Sequence, residues 1–368
     1  MSEKVRDLRS ALKLLSEIPG QLAETDVEVE PMAELSGVYR YVGAGGTVKR
    51  PTKEGPAMIF NNIKGHPGAR VAIGVLASRK RVAKLLDCKP EDLGKKLYRS
   101  VANPIPPVLK EGAGLCQQVV HRATDPDFDL NKLVPAPTNT PDDAGPYITL
   151  GMCYATHPET GAHDVTIHRL CIQGKDELSI FFTPGARHIG AMAERAEALG
   201  KTLPISISIG VDPAIEIGSC FEPPTTPLGY DELSVAGALR GEPVELCKCL
   251  TIDEMAIANA EYVIEGEVIP GVRVVEDKNS HRLCHAGIPR LHRPGLRPVL
   301  AHQGQSRDTP GEPDHADLHR AERRARLHGR YPDGGQHLRD GRKSHAGTSS
   351  ERVLLLGRRR KIHGRPPV

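Results

Sequence analysis

The sequence has no apolar run of about 18 residues, the length at which a helix can cross a bilayer. Its first residues, from Met1 to Asp7, also lack the pattern of a signal peptide. We therefore expect a cytoplasmic protein that has no membrane partner.

Cys-x-x-Cys pairs are absent too, although the chain has 8 cysteines, so the zinc and redox motifs of that spacing are excluded. Cys247 and Cys249 are two residues apart, which would place both side chains on one face of a strand. We expect reduced thiols packed in the core.

A phosphate loop is the third missing feature. The segment Gly43-Ala-Gly-Gly46 is rich in glycine, but it lacks the Gly-Lys-Ser/Thr ending and a clear strand before it. This favours a plain turn over a nucleotide site.

Charge divides the chain at about residue 280. Up to Ser280 there are 30 Lys and Arg against 38 Asp and Glu, a net charge of −8, whereas residues 281–368 have 19 against 8, a net charge of +11. The second part holds 10 of the 16 histidines and no Phe, so it cannot build much of a core, and we expect a disordered or irregular tail. Its composition would permit metal chelation or RNA binding, but we interpret both as accidental and expect no nucleic-acid partner.

The N-terminal third has the pattern of a small α/β domain. Val5, Leu8, Leu12 and Leu15 recur at helical spacing, with Ser2 available as a cap. Short apolar runs at 57–60 and 70–76 and a helical segment at 79–86 follow. We predict an α/β domain over residues 1–120.

From Ile148 onward the pattern becomes that of strands, and it favours a barrel over residues 121–280. The overall fold class is then α/β, with an aberrant basic tail from residue 281. The predicted strands are 164–172, 178–182, 205–209, 214–217 and 261–268, and the predicted helices are 189–199 and 231–240.

Three possible metal ligands, Asp164, His188 and Glu232, lie on separate elements of this region. Two carboxylates and one imidazole suit manganese or magnesium better than a thiolate-binding metal. His188 begins a helix, whose free N–H groups could receive an anion such as a phosphate.

Arg169 offers a planar guanidinium that can grip a carboxylate through two hydrogen bonds. On an ideal strand, however, Asp164, Thr166 and His168 face one side and Arg169 the other. A ligand that touches both Asp164 and Arg169 would need a bulge, or would have to wrap around the strand end.

Three segments carry a family resemblance: Pro135-Ala-Pro-Thr-Asn-Thr-Pro141, Asp164-Val-Thr-Ile-His-Arg169 and Glu232-Leu-Ser-Val-Ala-Gly-Ala-Leu-Arg-Gly241. With them, from about Asp7 to Asn279, the chain resembles the UbiD-type decarboxylases, and within these the hydroxyaryl-acid branch. The resemblance implies a split β-barrel that binds prenylated FMN and Mn²⁺, with K⁺ as an accompanying ion. It also implies a small aromatic acid as substrate, a flavin prenyltransferase that supplies the cofactor, and a homo-oligomer at full length.

The resemblance also assigns roles to residues. Arg169 would bind the substrate carboxylate, and Glu276 matches the first catalytic glutamate of the family. Many members have Asn where this chain has Asp164, and the extra charge would tighten the binding of a divalent ion. The implied cofactor contacts are Thr166, Ile167, His168, Arg169, Arg187, His188 and Glu232, and the implied metal ligands are Asp164, His188 and Glu232.

The resemblance stops after Asn279, where the family has a segment whose Glu donates the proton. A one-base change of reading frame allows residues 281–292 to encode Thr-Gly-Tyr-Ala-Met-Pro-Glu-Phe, which restores that segment. The same shift over residues 351–363 can restore the family's glycine-rich segment with its phosphate-binding Lys. A frameshift in the gene or its sequencing is therefore our leading hypothesis for residues 281–368, and we expect the chain as written to be inactive.

Two other functions stay open at this point. A flavin reductase or another FMN-binding enzyme could use the same barrel, and it would bind plain FMN and oxidise NADH. A non-enzymatic nucleic-acid binder with a basic tail would instead lose its salt-dependent binding when residues 281–368 are deleted.

Overall fold

The computed structural model describes residues 4–44, 54–182 and 187–276, together with the backbone of two strands at 292–302 and 353–356. These two strands fall within the range predicted to be irregular, and the sequence pattern did not predict them. The rest of that range lies outside the described residues. The domain boundaries at 120 and 280 stay predictions.

The elements alternate between helices and strands in the first third, and strands dominate afterwards. Single turns of 3-10 helix occur at Pro90–Asp92 and Leu115–Gln117. The α-helices are α1 Leu8–Ser16, α2 Glu34–Ala44, α3 Arg79–Leu85, α4 Leu93–Ala102, α5 Leu130–Leu133, α6 His188–Ala198, α7 Pro213–Gly218 and α8 Glu232–Arg240. The strands are β1 Leu22–Thr25, β2 Ala57–Phe60, β3 Arg70–Ile73, β4 Val108–Leu109, β5 Val119–His121, β6 Tyr147–Thr156, β7 His163–Ile172, β8 Leu178–Ile180, β9 Leu203–Ile209, β10 Glu245–Lys248, β11 Met255–Ile257, β12 Tyr262–Val275, β13 His292–His302 and β14 Val353–Leu356.

A four-stranded sheet in the order β1-β2-β3-β14 forms near the N-terminus. The amphipathic helix α1 buries Leu8, Leu12 and Leu15, as the helical spacing predicted. The predicted cap was wrong: α1 begins one residue after Asp7, whose carboxylate accepts a hydrogen bond from the Ser10 N–H at 2.7 Å. Asp7 is the better N-cap because it lies next to the first helical turn, which Ser2 does not.

The larger sheet has seven strands in the order β12-β9-β6-β7-β8-β13-β5, and β12 also pairs with β13. This extra pairing joins β12, β9, β6, β7, β8 and β13 into a barrel-like ring. Apolar side chains of β9 and β12, such as Ile205, Ile207 and Ile264, fill the buried face. The predicted fold class, α/β with a barrel, is confirmed.

One predicted strand, 214–217, is wrong because this segment forms α7. The reason is a strong helix start. Asp212 accepts hydrogen bonds from the backbone N–H groups of Ala214 and Ile215, and Pro213 occupies the first helical position. The apolar run is typical of a buried strand, but the N-cap at Asp212 stabilises a helix instead.

The other predicted helices and strands agree with the structure to within two residues, except that β12 continues to Val275, seven residues beyond the predicted end at 268; β8 ends at Ile180 rather than at residue 182. Helix α8 ends at Gly241, whose φ of +76° is the left-handed conformation that favours glycine after a helix. Helix α2 was not predicted. It includes Gly43 of the predicted turn, and Gly45 and Gly46 lie outside the described residues.

The prediction of thiols packed in the core is confirmed for most of the described cysteines, but it is wrong for Cys220, which is exposed. Cys247 is buried beside Cys116, with their Sγ atoms 3.6 Å apart, and Cys249 is half-buried. Among the described residues, no helix combines the length and apolar character needed to span a membrane.

Helix α8 approaches the segment before β4 so closely that one helical position has no room for a side chain. A Cβ on Gly237 would collide with the backbone carbonyl oxygen of Ile105, whereas a Cβ on Gly94 of α4 would meet no atom within 4 Å. We expect Gly237→Ala to lower the free energy of unfolding by about 1–3 kcal/mol through overpacking. Gly94→Ala should raise it by up to about 1 kcal/mol, because alanine loses less entropy in a helix. Urea unfolding of both variants checks this, and equal effects would contradict the close approach.

Candidate functional site

Strand β7 organises the candidate site, and its side chains alternate as the sequence pattern predicted. The register shift in the β6–β7 pairing falls between Ile148 and Gly151 of β6, so β7 itself has no bulge. Asp164, Thr166 and His168 therefore lie on one face of the sheet, and Ile167 and Arg169 on the other. Ile167 packs with apolar residues of that second face, and Arg169 is half-buried.

The three predicted metal ligands meet at the start of β7. One ligand atom each from Asp164, His188 and Glu232 lies within 4.8 Å of the other two. His188 is the first residue of α6 and Glu232 the first residue of α8. His188 Nδ1 and Asp164 Oδ1 are 2.9 Å apart.

The electrostatics of this cluster favour a bound cation. Burial raises the pKa of Asp164, and the hydrogen bond with His188 opposes this. Burial, and then repulsion by Asp164, raises the pKa of Glu232 to about 8. Within the part of the chain that the structure describes, Asp164 Oδ2 is buried and has no hydrogen-bond donor. Two close carboxylates with too little positive charge around them would be stabilised by a divalent ion.

Arg187 immediately precedes α6 and is held by protein groups. Its Nη1 donates to Thr166 Oγ1 at 2.6 Å, and its Nη2 lies 2.5 Å from Glu222 Oε1. Arg187 is the N-cap residue of this 11-residue helix, and its side chain does not cap the first N–H groups. These groups could receive a phosphate. The preceding motif residues, 183–186, lie outside the described residues.

His168 is a buried neutral histidine in this structure. Its ring packs edge-on against Phe182 with a centroid distance of 5.2 Å. Burial, together with the positive charge of Arg187, lowers the pKa of His168 to about 3. His168 would therefore contact a cofactor as an uncharged ring.

Arg169 and Glu276 lie toward the other end of β7. Glu276 is buried and accepts a hydrogen bond from Ser179 Oγ at 3.0 Å. Ser179 pairs with Cys171 across β7 and β8, so its side chain lies on the same face as that of Arg169. Cys171 is about 7 Å from Arg169 along the strand but about 23 Å from Asp164. The structure therefore brings Glu276 toward Arg169, and it does not bring Glu276 to the metal cluster.

The free edge of β7 resolves the difficulty that Asp164 and Arg169 face opposite sides. Strand β8 pairs only with residues 170–172 of β7, while β6 pairs with the opposite edge. In the described ranges, no strand covers the β8-side edge of residues 163–169. A ligand that lies along this edge can contact both faces without a bulge.

The sequence analysis missed several polar residues on the Arg169 face. The His163 ring stacks on Tyr154 with a centroid distance of 5.2 Å and an interplanar angle of 9°, and His163 Nε2 lies 3.5 Å from Asp231 Oδ1. The Asp231 carboxylate raises the pKa of His163. A usable signal existed, since His163 and Asp231 each directly precede a predicted ligand.

Glu254 is a second missed residue near this end of β7. Its two carboxylate oxygens accept hydrogen bonds from Thr156, one from the backbone N–H at 2.9 Å and one from the hydroxyl at 2.8 Å. Burial raises the pKa of Glu254 to about 7. Because Thr156 pairs with His163, Glu254 fixes the strand next to the start of β7.

Two family profiles match the chain. Residues 14–101 match the N-terminal domain of 3-octaprenyl-4-hydroxybenzoate carboxy-lyase, and residues 108–283 match the Rift-related domain of the same family, UbiD. Together they cover most of the chain up to the point where its composition changes.

Individual proteins agree with these profiles. The gallate decarboxylase of Lactiplantibacillus plantarum is 53% identical over 282 residues, which are 76% of this chain and 58% of that protein. The solved structure of a 3,4-dihydroxybenzoic acid decarboxylase from Enterobacter cloacae is 51% identical with a TM-score of 0.76, covering 82% of this chain and 63% of that one. A structure of the UbiD-class enzyme HmfF from Pelotomaculum thermopropionicum in complex with prFMN is 34% identical with a TM-score of 0.70, covering 81% of this chain and 65% of that one. The chain thus spans less than two thirds of the length of these relatives.

The buried Glu254 generates a pH prediction. Its folded-state pKa of about 7 exceeds the ordinary value, 4.5, so its contribution to stability is complete below pH 4.5 and is lost as the pH rises through 7. Glu254→Gln keeps an oxygen acceptor but does not ionise. Between pH 5 and pH 8 we expect the variant to gain stability relative to the parent, on the order of 2–3 kcal/mol. Urea unfolding at both pH values measures this, and an unchanged difference between the two proteins would show that Glu254 does not ionise in this range.

Proposed function

The chain belongs to the UbiD family, and from this premise we propose that it derives from a decarboxylase of hydroxylated aromatic acids that uses prenylated FMN. The observation that carries the proposal is the cluster of Asp164, His188 and Glu232 at the open edge of β7. The cluster combines a site for a divalent cation with the N-terminus of α6, whose N–H groups can bind a phosphate. The named activities of the gallate and 3,4-dihydroxybenzoic acid relatives support a hydroxybenzoic acid as the substrate class.

The donor set and its charge fit a divalent ion: Asp164, His188 and Glu232 would hold Mn²⁺, and the family resemblance implies K⁺ as an accompanying ion. Two oxygen ligands and one nitrogen ligand suit Mn²⁺ or Mg²⁺, and the buried carboxylates lack a compensating charge. Asp164 supplies a full negative charge here, which strengthens the attraction for a divalent ion. Thr166 and His168 lie on the same face of β7 as Asp164, and Arg187 donates a hydrogen bond to Thr166, which supports the proposal that all three contact the same cofactor.

Prenylated FMN, when bound, would supply the electron sink that decarboxylation of an aromatic acid requires. Arg169 would hold the substrate carboxylate by two parallel hydrogen bonds and so orient the bond that breaks. Glu276, which accepts a hydrogen bond from Ser179 on the Arg169 face, would hold or move a proton there. Ile167 lies on β7 between Asp164 and Arg169.

Residues 281–368 decide whether the chain as written can turn over substrate. We propose that they result from a one-base shift of frame, which removes the family's proton-donating glutamate and its phosphate-binding lysine. The chain as written would then be inactive. Resequencing of the gene tests this, and an unshifted gene whose transcript uses this frame would contradict it.

The proposal also includes partners. A flavin prenyltransferase would supply the cofactor, and the frame-corrected protein would form a homo-oligomer. Gel filtration of the frame-corrected protein after co-expression with such a transferase tests both points.

A visible spectrum combined with an activity assay tests the function itself. The frame-corrected protein should bind a modified flavin and release CO₂ from one or more hydroxybenzoates in a panel. Plain FMN combined with NADH oxidation would instead show a flavin reductase and would contradict the proposal.

Arg169 generates the mutational prediction. In the frame-corrected protein we expect Arg169→Lys to reduce turnover by about 10- to 100-fold, because lysine cannot form the two-bond grip on a carboxylate. Flavin content per protein should stay unchanged. Arg195→Lys, at an exposed ion pair with Glu159, is the matched control and should keep full activity. Undiminished turnover in Arg169→Lys would remove Arg169 from the mechanism.

A further inference from the structure

Two of the proposed metal ligands share a local pattern that the mechanism above does not use. Asp164 directly follows His163, and Glu232 directly follows Asp231. The preceding residues, His163 and Asp231, approach each other across the opposite face of β7, with 3.5 Å between His163 Nε2 and Asp231 Oδ1. The strand and the helix that carry the two ligands are therefore linked one residue away from the ligands themselves.

Each half of this link is fixed by its own element. Asp231 caps α8: its carboxylate accepts hydrogen bonds from the Leu233 N–H at 2.9 Å and from Ser234 Oγ at 2.7 Å. The carboxylate is thus tied to the first turn of the helix in which Glu232 is the first residue. Any displacement of Asp231 would move Glu232 with it.

On the strand side, the His163 ring lies flat against Tyr154 of β6, and the backbone of His163 pairs with Thr156 of the same strand. Thr156 is held in turn by both oxygens of Glu254. The ring therefore has little freedom to turn, and Asp164 inherits a fixed backbone position. The Asp164 side chain points to the opposite face of the strand, where it contacts His188.

We infer that His163 and Asp231 form a clamp that sets the distance between Asp164 and Glu232, and so determines the affinity of the site for a divalent cation. They are positioning residues, because neither offers an atom to the cluster of ligand atoms. The inference rests on the proposed metal site. A spacing that is fixed in advance reduces the ordering of the two carboxylates that metal binding would otherwise require.

The test measures Mn²⁺ binding to the full chain as written, by titration followed through the electron paramagnetic resonance signal of free Mn²⁺. It needs no flavin and no turnover. His163→Phe keeps the stacked ring on Tyr154 but removes the contact with Asp231. Asp231→Ser keeps a good N-cap for α8 but is too short to reach His163.

We expect each variant to weaken Mn²⁺ binding by about 10- to 100-fold, the range for residues that orient metal ligands. The double variant should bind no more weakly than the weaker single variant, because both changes break one link. The control, Arg195→Gln, removes the ion pair between Arg195 and Glu159, which also ties a turn near β7 to a ligand-bearing helix. The side chains of that pair are 45% and 44% exposed, whereas those of His163 and Asp231 are 34% and 16% exposed. This control should bind Mn²⁺ within about twofold of the parent, as expected for an exposed pair.

The possible failures are distinguishable. Parent-like affinity in His163→Phe and Asp231→Ser, with binding abolished by Glu232→Gln, would overturn the clamp and leave the metal site intact. Losses that add in the double variant would also overturn it, because they would reflect two separate effects. If neither the parent protein nor Glu232→Gln binds Mn²⁺, the metal site is overturned, and this inference with it. Urea unfolding of every variant shows whether a weak binder is folded at the titration temperature.

Discussion

Two carboxylates, Asp164 and Glu232, are buried side by side, and among the described residues a single imidazole, His188, joins them within 4.8 Å. Like charges in a low-dielectric site raise each other's pKa, and burial adds to the effect, as the pKa of about 8 for Glu232 indicates. A protein can hold such an arrangement by keeping a proton there or by binding a cation. The rest of the structure is consistent with the second use, because three separate elements converge on this point and the described residues leave Asp164 Oδ2 without a donor.

The barrel explains how these elements converge. Strand β7 carries ligands and the candidate carboxylate grip on alternate faces, α6 begins on one face, and α8 begins on the other. Because the edge of β7 that faces away from β6 pairs with no described strand at residues 163–169, both faces can be reached from that edge. In the proposed function, β7 carries the metal ligand Asp164 near one end and the carboxylate-binding Arg169 nearer the other, on opposite faces of the strand.

Much of the site could be predicted because its residue types and order are distinctive. Asp164, His188 and Glu232 were identified by their chemistry and by the family motifs, and the alternation along β7 followed from strand geometry alone. The helix at 213–218 was missed because an apolar run does not distinguish a buried strand from a helix, and only the cap at Asp212 decides. The His163–Asp231 contact was also missed, although each residue directly precedes a predicted ligand, because whether the two side chains meet depends on how α8 packs against β7.

The account depends most directly on a cation between Asp164, His188 and Glu232. Crystals of the protein grown with MnCl₂, with diffraction data collected on both sides of the manganese absorption edge, would locate such an ion. We predict an anomalous peak within coordinating distance of Asp164, His188 and Glu232 together. Absence of a peak at this cluster, with manganese ordered elsewhere or not at all, would contradict the central claim.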